Sequence, residues 1–392
     1  MHNSYRRRGG EDIVAETEIE LLLNRGHDVI CYRPSNVDIK EMSKGALAMS
    51  SLWAQKSVNE IGRMCDSFSP DVIHAHNTFP LISPALYWLA AKRRVPVVQT
   101  LHNFRLLCPQ AMFLRDGKTC EDCLAKIPWR AVTRKCYRES AMQSGVVASM
   151  LMLHRAIGSY RDKVTSYIAL SEFSRAKFIA GGFPSNRIHV KPNFVRSARQ
   201  PNWDARQGGL FVGRLSEEKG LHVLIDALAK IEKLETNQDS AIGIRVVGSG
   251  PLEDTVKSVF RQNSLGQMTS VEVIDLFHSS LFSIVPSTCY ETFGLVAVEA
   301  FSCGVPVIAS AHGGLGELIT NGVTGLLFKP GDAQDLATKL IWARDHPLEM
   351  RKMGKAAYAQ YLNKYTAGEN YNMLLAIYNN AIATTQGGIY GN

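Results

Sequence analysis

The sequence of 392 residues lacks several features that mark other classes of protein. No apolar run reaches the roughly 20 residues that span a bilayer, and the basic start, MHNSYRRRGGED, has no apolar stretch like that of a signal peptide. Fixed-period repeats and low-complexity tracts are also absent. The composition, 45% hydrophobic and 20% charged, is typical of globular proteins, and the length predicts two domains. We therefore expect a cytoplasmic protein.

The charge is distributed unevenly. Residues 1–190 hold 26 Lys and Arg against 17 Asp and Glu, whereas the remaining residues hold 18 against 19. Within the first half, residues 92–138 carry 11 basic and 3 acidic side chains. A basic half favours an anionic partner such as a phosphate group, a membrane surface or a nucleic acid. A solvated basic face is the alternative.

Helical patterns alternate with short apolar segments in both halves of the chain. In the first half these segments are DVICY, DVIHAH, VPVVQTLHN and SYIAL; in the second they are GGLFVG, IGIRVVG, LFSIVPS, VPVIAS and TGLLFKP. This alternation predicts parallel sheets covered by helices. The fold class is therefore α/β, with two Rossmann-like doubly wound domains whose ligand sites face each other across a cleft.

The domain boundaries follow from the composition. We predict an N-terminal domain over residues 1–192 with a Cys-rich insertion at about 105–140. A linker without periodicity follows at 193–208, then a second domain at 209–365 and a C-terminal helix and tail at 366–392.

Cations and glycines follow the apolar strands of the second half. Arg214 and Lys219 come after LFVG, and a planar guanidinium beside a compact ammonium suits a diphosphate. The next strand, RVVG, leads into SGPLED, a Gly-rich turn at the start of a helix. We expect these loops to bind a ligand that carries a diphosphate, with Gly213, Gly250 and Leu252 lining the site.

Two glutamates, Glu291 and Glu299, stand in the apolar segment YETFGLVAVEAFSCGVPVIAS. A buried carboxylate requires a partner, so each must meet either protein or ligand. Phe293, Gly294 and Leu295 begin a helix between them, and backbone N–H groups at a helix start bind anions. The two carboxylates then suit hydroxyl groups on either side of a bound phosphate. The alternative is that Glu299 pairs with an arginine of the core.

The chain resembles glycosyltransferase family 4, retaining enzymes of the GT-B fold that use nucleotide sugars. The resemblance covers nearly the whole chain and rests on GRLSEEKG, VVGSGPLED, PSTCYETFGLVAVEAF, HGGLGELI and NGVTGLLFKPGD, which occur in family order. It implies that Glu299 binds the ribose and Glu291 the transferred sugar. It also implies that Arg214 and Lys219 hold the diphosphate, and that Phe293–Leu295 meet the sugar and phosphate.

The N-terminal half matches the same family at Gly9, Gly10 and His102. The glycine pair is expected near the phosphates and the acceptor, and the family counterpart of His102 hydrogen-bonds the donor sugar. Two departures are evident. Only Met1 precedes the HNSY loop, so the first strand is missing or lies upstream, and only 35 residues separate Gly250 from Pro286. We expect Leu265 and Gly266 to be the remainder of a loop near the nucleobase.

Four of the eight cysteines cluster in the basic insertion. Cys108, Cys120, Cys123 and Cys136 form the pattern C-x₁₁-C-x₂-C-x₁₂-C, which suits a tetrahedral structural zinc. Four unrelated thiols are one alternative and an iron–sulfur cluster is another. Catalysis itself should require no cofactor, because protein cations stabilise the leaving group.

We therefore predict a hexosyltransferase-type glycosyltransferase that moves a sugar from a UDP- or GDP-sugar to a growing glycan or lipid-linked acceptor. Cell-surface polysaccharide or lipopolysaccharide synthesis is the expected pathway, with the protein cytoplasmic and peripheral on the inner membrane face. The alternatives are a truncated nucleotide-binding remnant without transfer activity and a basic, zinc-containing nucleic-acid-binding protein. Nucleic acid is not an expected partner, because a nucleic-acid role leaves Glu291 and Glu299 without a purpose.

Overall fold

A computed structural model describes residues 1–5, 8–196, 199–204, 206–234 and 242–387. The chain divides into two compact units. The first unit comprises Met1–Phe113, Glu121–Pro192 and Asn370–Asn392, and the second comprises Leu114–Cys120 and Asn193–Glu369. The C-terminal segment thus belongs to the first unit, although it follows the second in sequence.

The first unit is built on a parallel sheet. Its strands, in the order β1-β2-β5-β6, are β1 (Ile73–Ala75), β2 (Val97–Leu101), β5 (Ser166–Ala169) and β6 (Ile188–Val190). The central strands β2 and β5 are buried along their whole length, which is why their sequences are continuously apolar or neutral. A two-stranded hairpin, β3 (Leu114–Arg115) and β4 (Lys118–Thr119), belongs to the second unit.

Helices cover this sheet. They are α1 (Gly10–Leu23), α2 (Lys44–Leu52), α3 (Gln55–Phe68), α4 (Ala85–Lys92), α5 (Trp129–Thr133), α6 (Ala141–Ala156), α7 (Ser159–Asp162) and α8 (Glu172–Ala180). The last helix of the chain, α16 (Ala367–Gln386), lies almost wholly in the first unit.

The N-terminal strand prediction is partly corrected. Residues 28–32, DVICY, form no strand within the described part of the first unit. Only a short extended segment lies beside them: the N–H of His2 donates to Tyr32 O at 3.0 Å, and the N–H of Asn3 donates to Asn77 O at 2.8 Å. Isolated bridges join His2 to Asn77 and Ser4 to Ser35. Among the described residues, isolated bridges therefore stand where a ladder beside DVICY was expected.

The second unit is a wider parallel sheet. Its strands run in the order β12-β11-β10-β7-β8-β9: β7 (Gly209–Val212), β8 (Ile244–Val247), β9 (Ser264–Gly266), β10 (Phe282–Val285), β11 (Val307–Ser310) and β12 (Gly325–Phe328). Its helices are α9 (Leu221–Leu234), α10 (Glu253–Phe260), α11 (Ser270–Ser279), α12 (Leu295–Ser302), α13 (Gly313–Leu318), α14 (Ala333–Asp345) and α15 (Pro347–Lys364). One hydrophobic core joins β7, β8, β10, α9 and α14.

The short segment between Gly250 and Pro286 holds more than the sequence analysis expects. It contains α10, the edge strand β9 and α11. Leu265 and Gly266 lie in β9, where the carbonyl of Gly266 accepts from Gly248 N–H at 2.8 Å. Leu265 and Gly266 therefore end an edge strand directly before a loop, and their place near a nucleobase stays a prediction.

Candidate functional site

The loops after the strands of the second unit are hydrogen-bonded to one another. Leu215 N–H donates to Ser249 O at 3.0 Å, and Leu252 N–H donates to Leu215 O at 2.9 Å. Thr288 N–H in turn donates to Glu218 O at 3.0 Å. The loops after β7, β8 and β10 therefore form one connected surface at the carboxyl edge of the sheet, which is where doubly wound folds bind ligands.

Two glycines make this close approach possible. Gly248 has φ 143°, and a Cβ placed there would lie 1.9 Å from Gly213 O. Gly294 precedes α12 with φ 103°, and a Cβ there would lie 2.5 Å from Leu315 Cδ2. A side chain at either position would force the loops apart, in a backbone conformation that L-residues rarely adopt.

Glu291 has its partner within the protein. The Nζ of Lys219 donates to Glu291 Oε1 at 2.6 Å, and Ser287 Oγ donates to the same oxygen at 2.8 Å. Burial alone would raise the pKa of Glu291, but the charge of Lys219 and these two hydrogen bonds lower it. Burial would likewise lower the pKa of Lys219, yet the charge of Glu291 raises it. Both groups are therefore charged at neutral pH.

Glu299 is the opposite case. It lies in α12, half-buried, and within the described residues its carboxylate has no hydrogen-bond or ion-pair partner. Burial alone raises its pKa to about 7. The alternative of a core arginine as partner is not realised among these residues. Removing a carboxylate from water without a hydrogen-bond or ion-pair partner costs free energy, unless a ligand provides that partner.

The remaining predicted donor-site residues border the same loops. Arg214 is exposed, and Gly213 donates its N–H to Val247 O at 3.0 Å. Phe293 is buried against the ring of Tyr365, with ring centroids 5.9 Å apart. The helix α12 begins at Leu295 rather than at Phe293, so Gly294 is its N-cap and Glu299 lies in its second turn.

Sequence reasoning missed His312, which follows β11. Its Nε2 lies 2.9 Å from Ser287 O, and its ring lies edge-on to Tyr290 at 5.5 Å between centroids. Burial lowers the pKa of His312, so the ring is neutral at pH 7 and its Nε2–H donates to that carbonyl. His312 therefore fixes the loop that carries Glu291. Its position directly after a strand was the available signal.

In the first unit, the glycine pair stands at the start of α1. The Asp12 carboxylate accepts from Gly9 N–H at 2.8 Å and faces His2 Nε2, also at 2.8 Å. Gly10 is exposed. The Gly9 amide is thus committed to Asp12 within the protein, whereas Gly10 is open to solvent.

His102 lies in a buried cluster of histidines. Its Nε2 is 2.9 Å from His76 Nδ1, and the two rings stack with centroids 5.2 Å apart. His74 adds a third ring, 4.1 Å from that of His76. Burial lowers the pKa of His102 to about 3, so the ring is neutral. One of the two facing nitrogens must donate, which ties the tautomer of His102 to that of His76.

A buried ion pair beneath these histidines was not predicted. Lys191 is fully buried, and its Nζ contacts Glu18 Oε1 at 2.5 Å and Asn370 Oδ1 at 3.2 Å. The other oxygen, Glu18 Oε2, has no hydrogen bond among the described residues and lies 3.5 Å from His76 Nε2. The pair is separated by 173 residues, so no local pattern reveals it.

Two family sequence profiles match the chain. "Glycosyl transferase 4-like domain" matches residues 18–193, and "Glycosyl transferases group 1" matches residues 204–360. The chain belongs to the family 4 glycosyltransferases. The first profile spans most of the first unit, and the second contains all of the donor-site loops described above, so the sequence resemblance is confirmed in both halves.

Similar proteins include a glycogen synthase of Mycobacterium tuberculosis, 28% identical over 302 residues. The match covers 74% of this glycosyltransferase and 64% of that synthase, so the chain spans less than two thirds of its relative's length. Among solved structures, sucrose-phosphate synthase from Thermosynechococcus elongatus has a TM-score of 0.71 at 20% identity, covering 97% of this chain and 96% of that one. Anabaena Alr3699/HepE in complex with UDP-glucose has a TM-score of 0.66 at 18% identity, covering 96% and 98%. These structures confirm the GT-B fold with two Rossmann-like domains.

The four clustered cysteines are divided between the two units. Among the described residues, three ligand atoms come within 4.8 Å of one another only at Glu18, His74 and His76. Cys108, Cys123 and Cys136 of the first unit form no such group, and Cys120 belongs to the second unit. Because Cys120 belongs to the second unit and the other three cysteines to the first, the tetrahedral zinc site stays a prediction.

Within the described ranges, none of the helices combines the length and apolar character needed to cross a bilayer.

Proposed function

We propose that this glycosyltransferase moves a hexose from a nucleotide-sugar donor to a glycan or lipid-linked acceptor with retention of configuration. The observation that carries the proposal is the uncompensated carboxylate of Glu299, with its pKa raised to about 7, beside connected donor-site loops. Ribose hydroxyls would donate to it and lower the cost of its ionisation. The family assignment supports this role.

In this proposal the protein stabilises the leaving diphosphate with its own charges. The exposed guanidinium of Arg214, the Lys219 ammonium and the N-terminus of α12 supply positive potential on one loop surface. Such fixed donors act where negative charge develops in the transition state. Glu291 positions Lys219 in the absence of donor and binds the sugar when the donor is present.

The transfer exchanges one bond at the anomeric carbon. The bond between this carbon and the diphosphate oxygen breaks, and a bond to the acceptor oxygen forms on the same face of the sugar. The departing phosphate oxygen takes the acceptor's proton, so no protein base is required. The neutral ring of His102 contacts the sugar as a hydrogen-bond partner rather than as a charged acid.

The basic first half supports an anionic or lipid-linked acceptor, and polysaccharide or lipopolysaccharide synthesis at the inner membrane face is the proposed setting. Residues 92–138, with 11 basic and 3 acidic side chains, lie mostly in the first unit. Opposite charge raises the local concentration of such an acceptor.

A donor screen tests the proposal. UDP-, GDP- and ADP-sugars are compared by thermal shift, with UDP-glucose first because a neighbour of the same fold was solved with it. A true donor raises the melting temperature with concentration, by linkage. Release of nucleoside diphosphate in the presence of a glycan acceptor then distinguishes a transferase from a remnant that only binds. If no nucleotide sugar shifts the melting temperature at millimolar concentration, the proposed function fails.

A further inference from the structure

Helix α6 has an exposed face without charge. Residues 141–153 contain no charged side chain. One face of the helix packs Val147, Met150 and Leu151 into the core. The opposite face carries Met142 and Met152, which are 60% and 43% exposed. A surface helix normally turns charged residues toward water, so this face has the composition of a covered one.

We propose that this face of α6, together with the neighbouring segment Lys126–Trp129, inserts into the surface of an anionic lipid leaflet. The proposal extends the acceptor role given above, since a lipid-linked acceptor is held at that surface.

The neighbouring segment adds two large apolar side chains. Ile127 is 66% exposed and Trp129 is 58% exposed. Arg155, at the end of α6, donates to Lys126 O at 3.1 Å and so holds the segment beside the last turn of the helix. The helix α5, which begins at Trp129, packs against α6. Tryptophan is enriched at the boundary between lipid and water.

Basic residues border this apolar surface. Residues 126–138 contain five basic side chains and no acidic one. Arg130 and Arg134 share Asp122, while Lys126, Lys135 and Arg138 are exposed. An apolar face with a cationic border is the pattern of helices that lie in the plane of a membrane surface.

The basic border of this surface indicates which kind of partner covers it. A second copy meeting this face through a two-fold axis would bring the same basic border against itself, and like charges at an interface are unfavourable. An anionic leaflet instead offers the opposite charge at the border and a hydrocarbon layer for the methionines and Trp129. An anionic lipid surface is therefore the partner that matches both the apolar face and its basic border.

The first experiment changes the apolar face. Full-length protein is sedimented with vesicles of phosphatidylglycerol and phosphatidylcholine, without nucleotide sugar. Met152→Glu should lower the fraction bound at least about tenfold, because an apolar side chain that inserts into the leaflet is replaced by an anion. The matched control is Leu362→Glu on α15, since Leu362 is similarly exposed at 48%. Binding by the control should equal that of the wild type, and both variants should keep the wild-type melting temperature.

The second experiment changes the border. Lys126→Glu/Lys135→Glu should weaken binding to anionic vesicles by about 25-fold or more at low salt, at roughly fivefold for each lost cation. Neutral vesicles should show little change. The control pair Lys230→Glu/Lys352→Glu carries the same charge change on the second unit and should bind as the wild type does.

The outcomes are separable from the donor assay. Wild-type protein left in the supernatant with anionic vesicles at low salt would overturn the inference, whatever the transfer activity. It would also be overturned if Met152→Glu changed the oligomeric state in analytical ultracentrifugation and left vesicle binding intact, because the face would then be a protein interface. Vesicle binding without any nucleotide-sugar turnover would support the inference and refute the proposed function alone.

Discussion

Replacing Glu299 by glutamine should stabilise the folded protein above pH 7 while weakening nucleotide binding. In the folded chain, burial raises the pKa of Glu299 from 4.5 to about 7. A carboxyl whose pKa is raised by folding binds more protons in the folded state than in the unfolded state. The contribution of Glu299 to the free energy of unfolding therefore falls as pH rises from about 4.5, and it is lowest above about pH 7. Glutamine removes that cost.

The magnitude follows from the same pKa. At about 1.4 kcal/mol per pKa unit, the difference between 4.5 and about 7 corresponds to roughly 3.5 kcal/mol, and screening by water at this half-buried site reduces it to about 2 kcal/mol. A domain of this size gains about 2–4 °C per kcal/mol, so Glu299→Gln should melt roughly 4–8 °C higher at pH 8. At pH 4.5 the difference should vanish.

Glu291→Gln is the matched control on the same segment, and its sign is reversed. The charge of Lys219 lowers the pKa of Glu291 despite burial, so this carboxylate contributes stability that is present above about pH 4.5 and lost as pH falls further. The variant should therefore melt lower than the wild type at pH 8.

Scanning calorimetry of wild type and both variants from pH 4.5 to 8 checks these signs. Lower stability of Glu299→Gln at pH 8 would refute the reasoning, because it would mean that the carboxylate has a stabilising partner. Equal shifts in both variants would show that the two glutamates share one environment.

Three further predictions concern other sites. Arg214→Ala should lower kcat/KM by about 10²–10³-fold, the scale of a lost charge contact in a transition state. Arg351→Ala on α15 is the control and should leave kcat/KM unchanged. Steady-state kinetics of both variants measures the difference. Lys191→Met should destabilise the protein by about 3–5 kcal/mol in urea unfolding, because it leaves the buried Glu18 carboxylate without its cation. The double variant Glu18→Gln/Lys191→Met should recover part of that loss. Full stability of Lys191→Met would contradict the buried ion pair. Elemental analysis of protein purified without chelator should find about one zinc per chain if the four cysteines bind it, and metal at background would favour plain thiols.

The main features of the fold were readable from the sequence because buried parallel strands leave continuous apolar runs. DVIHAH, VPVVQTL, LFSIV and VPVIAS each contain an observed strand. DVICY has the same pattern and forms no strand among the described residues. An apolar run indicates that a strand would be buried. It does not show which neighbouring strand would pair with it.

The donor-site residues were chosen by position after strands, but their pairing could not be read. Lys219 and Glu291 are 72 residues apart, and only the fold brings their charges within 2.6 Å. The sequence left open whether Glu291 and Glu299 meet protein or ligand. The structure gives Glu291 a protein partner and Glu299 none within the described residues. The sequence also could not decide which face of α6 is buried, because residues 141–153 contain no charged side chain that would mark a face turned to water.

The most direct test of the account measures whether Glu299 recognises ribose hydroxyls. Isothermal titration calorimetry compares the nucleoside diphosphate selected by the donor screen with its 2′,3′-dideoxy analogue, on wild type and on Glu299→Ala. The account predicts that the wild type binds the complete nucleotide at least about tenfold more tightly, as expected for hydrogen bonds to a charged group, and that Glu299→Ala loses this preference. Equal affinity of the wild type for both nucleotides, or an unchanged preference in Glu299→Ala, would contradict it.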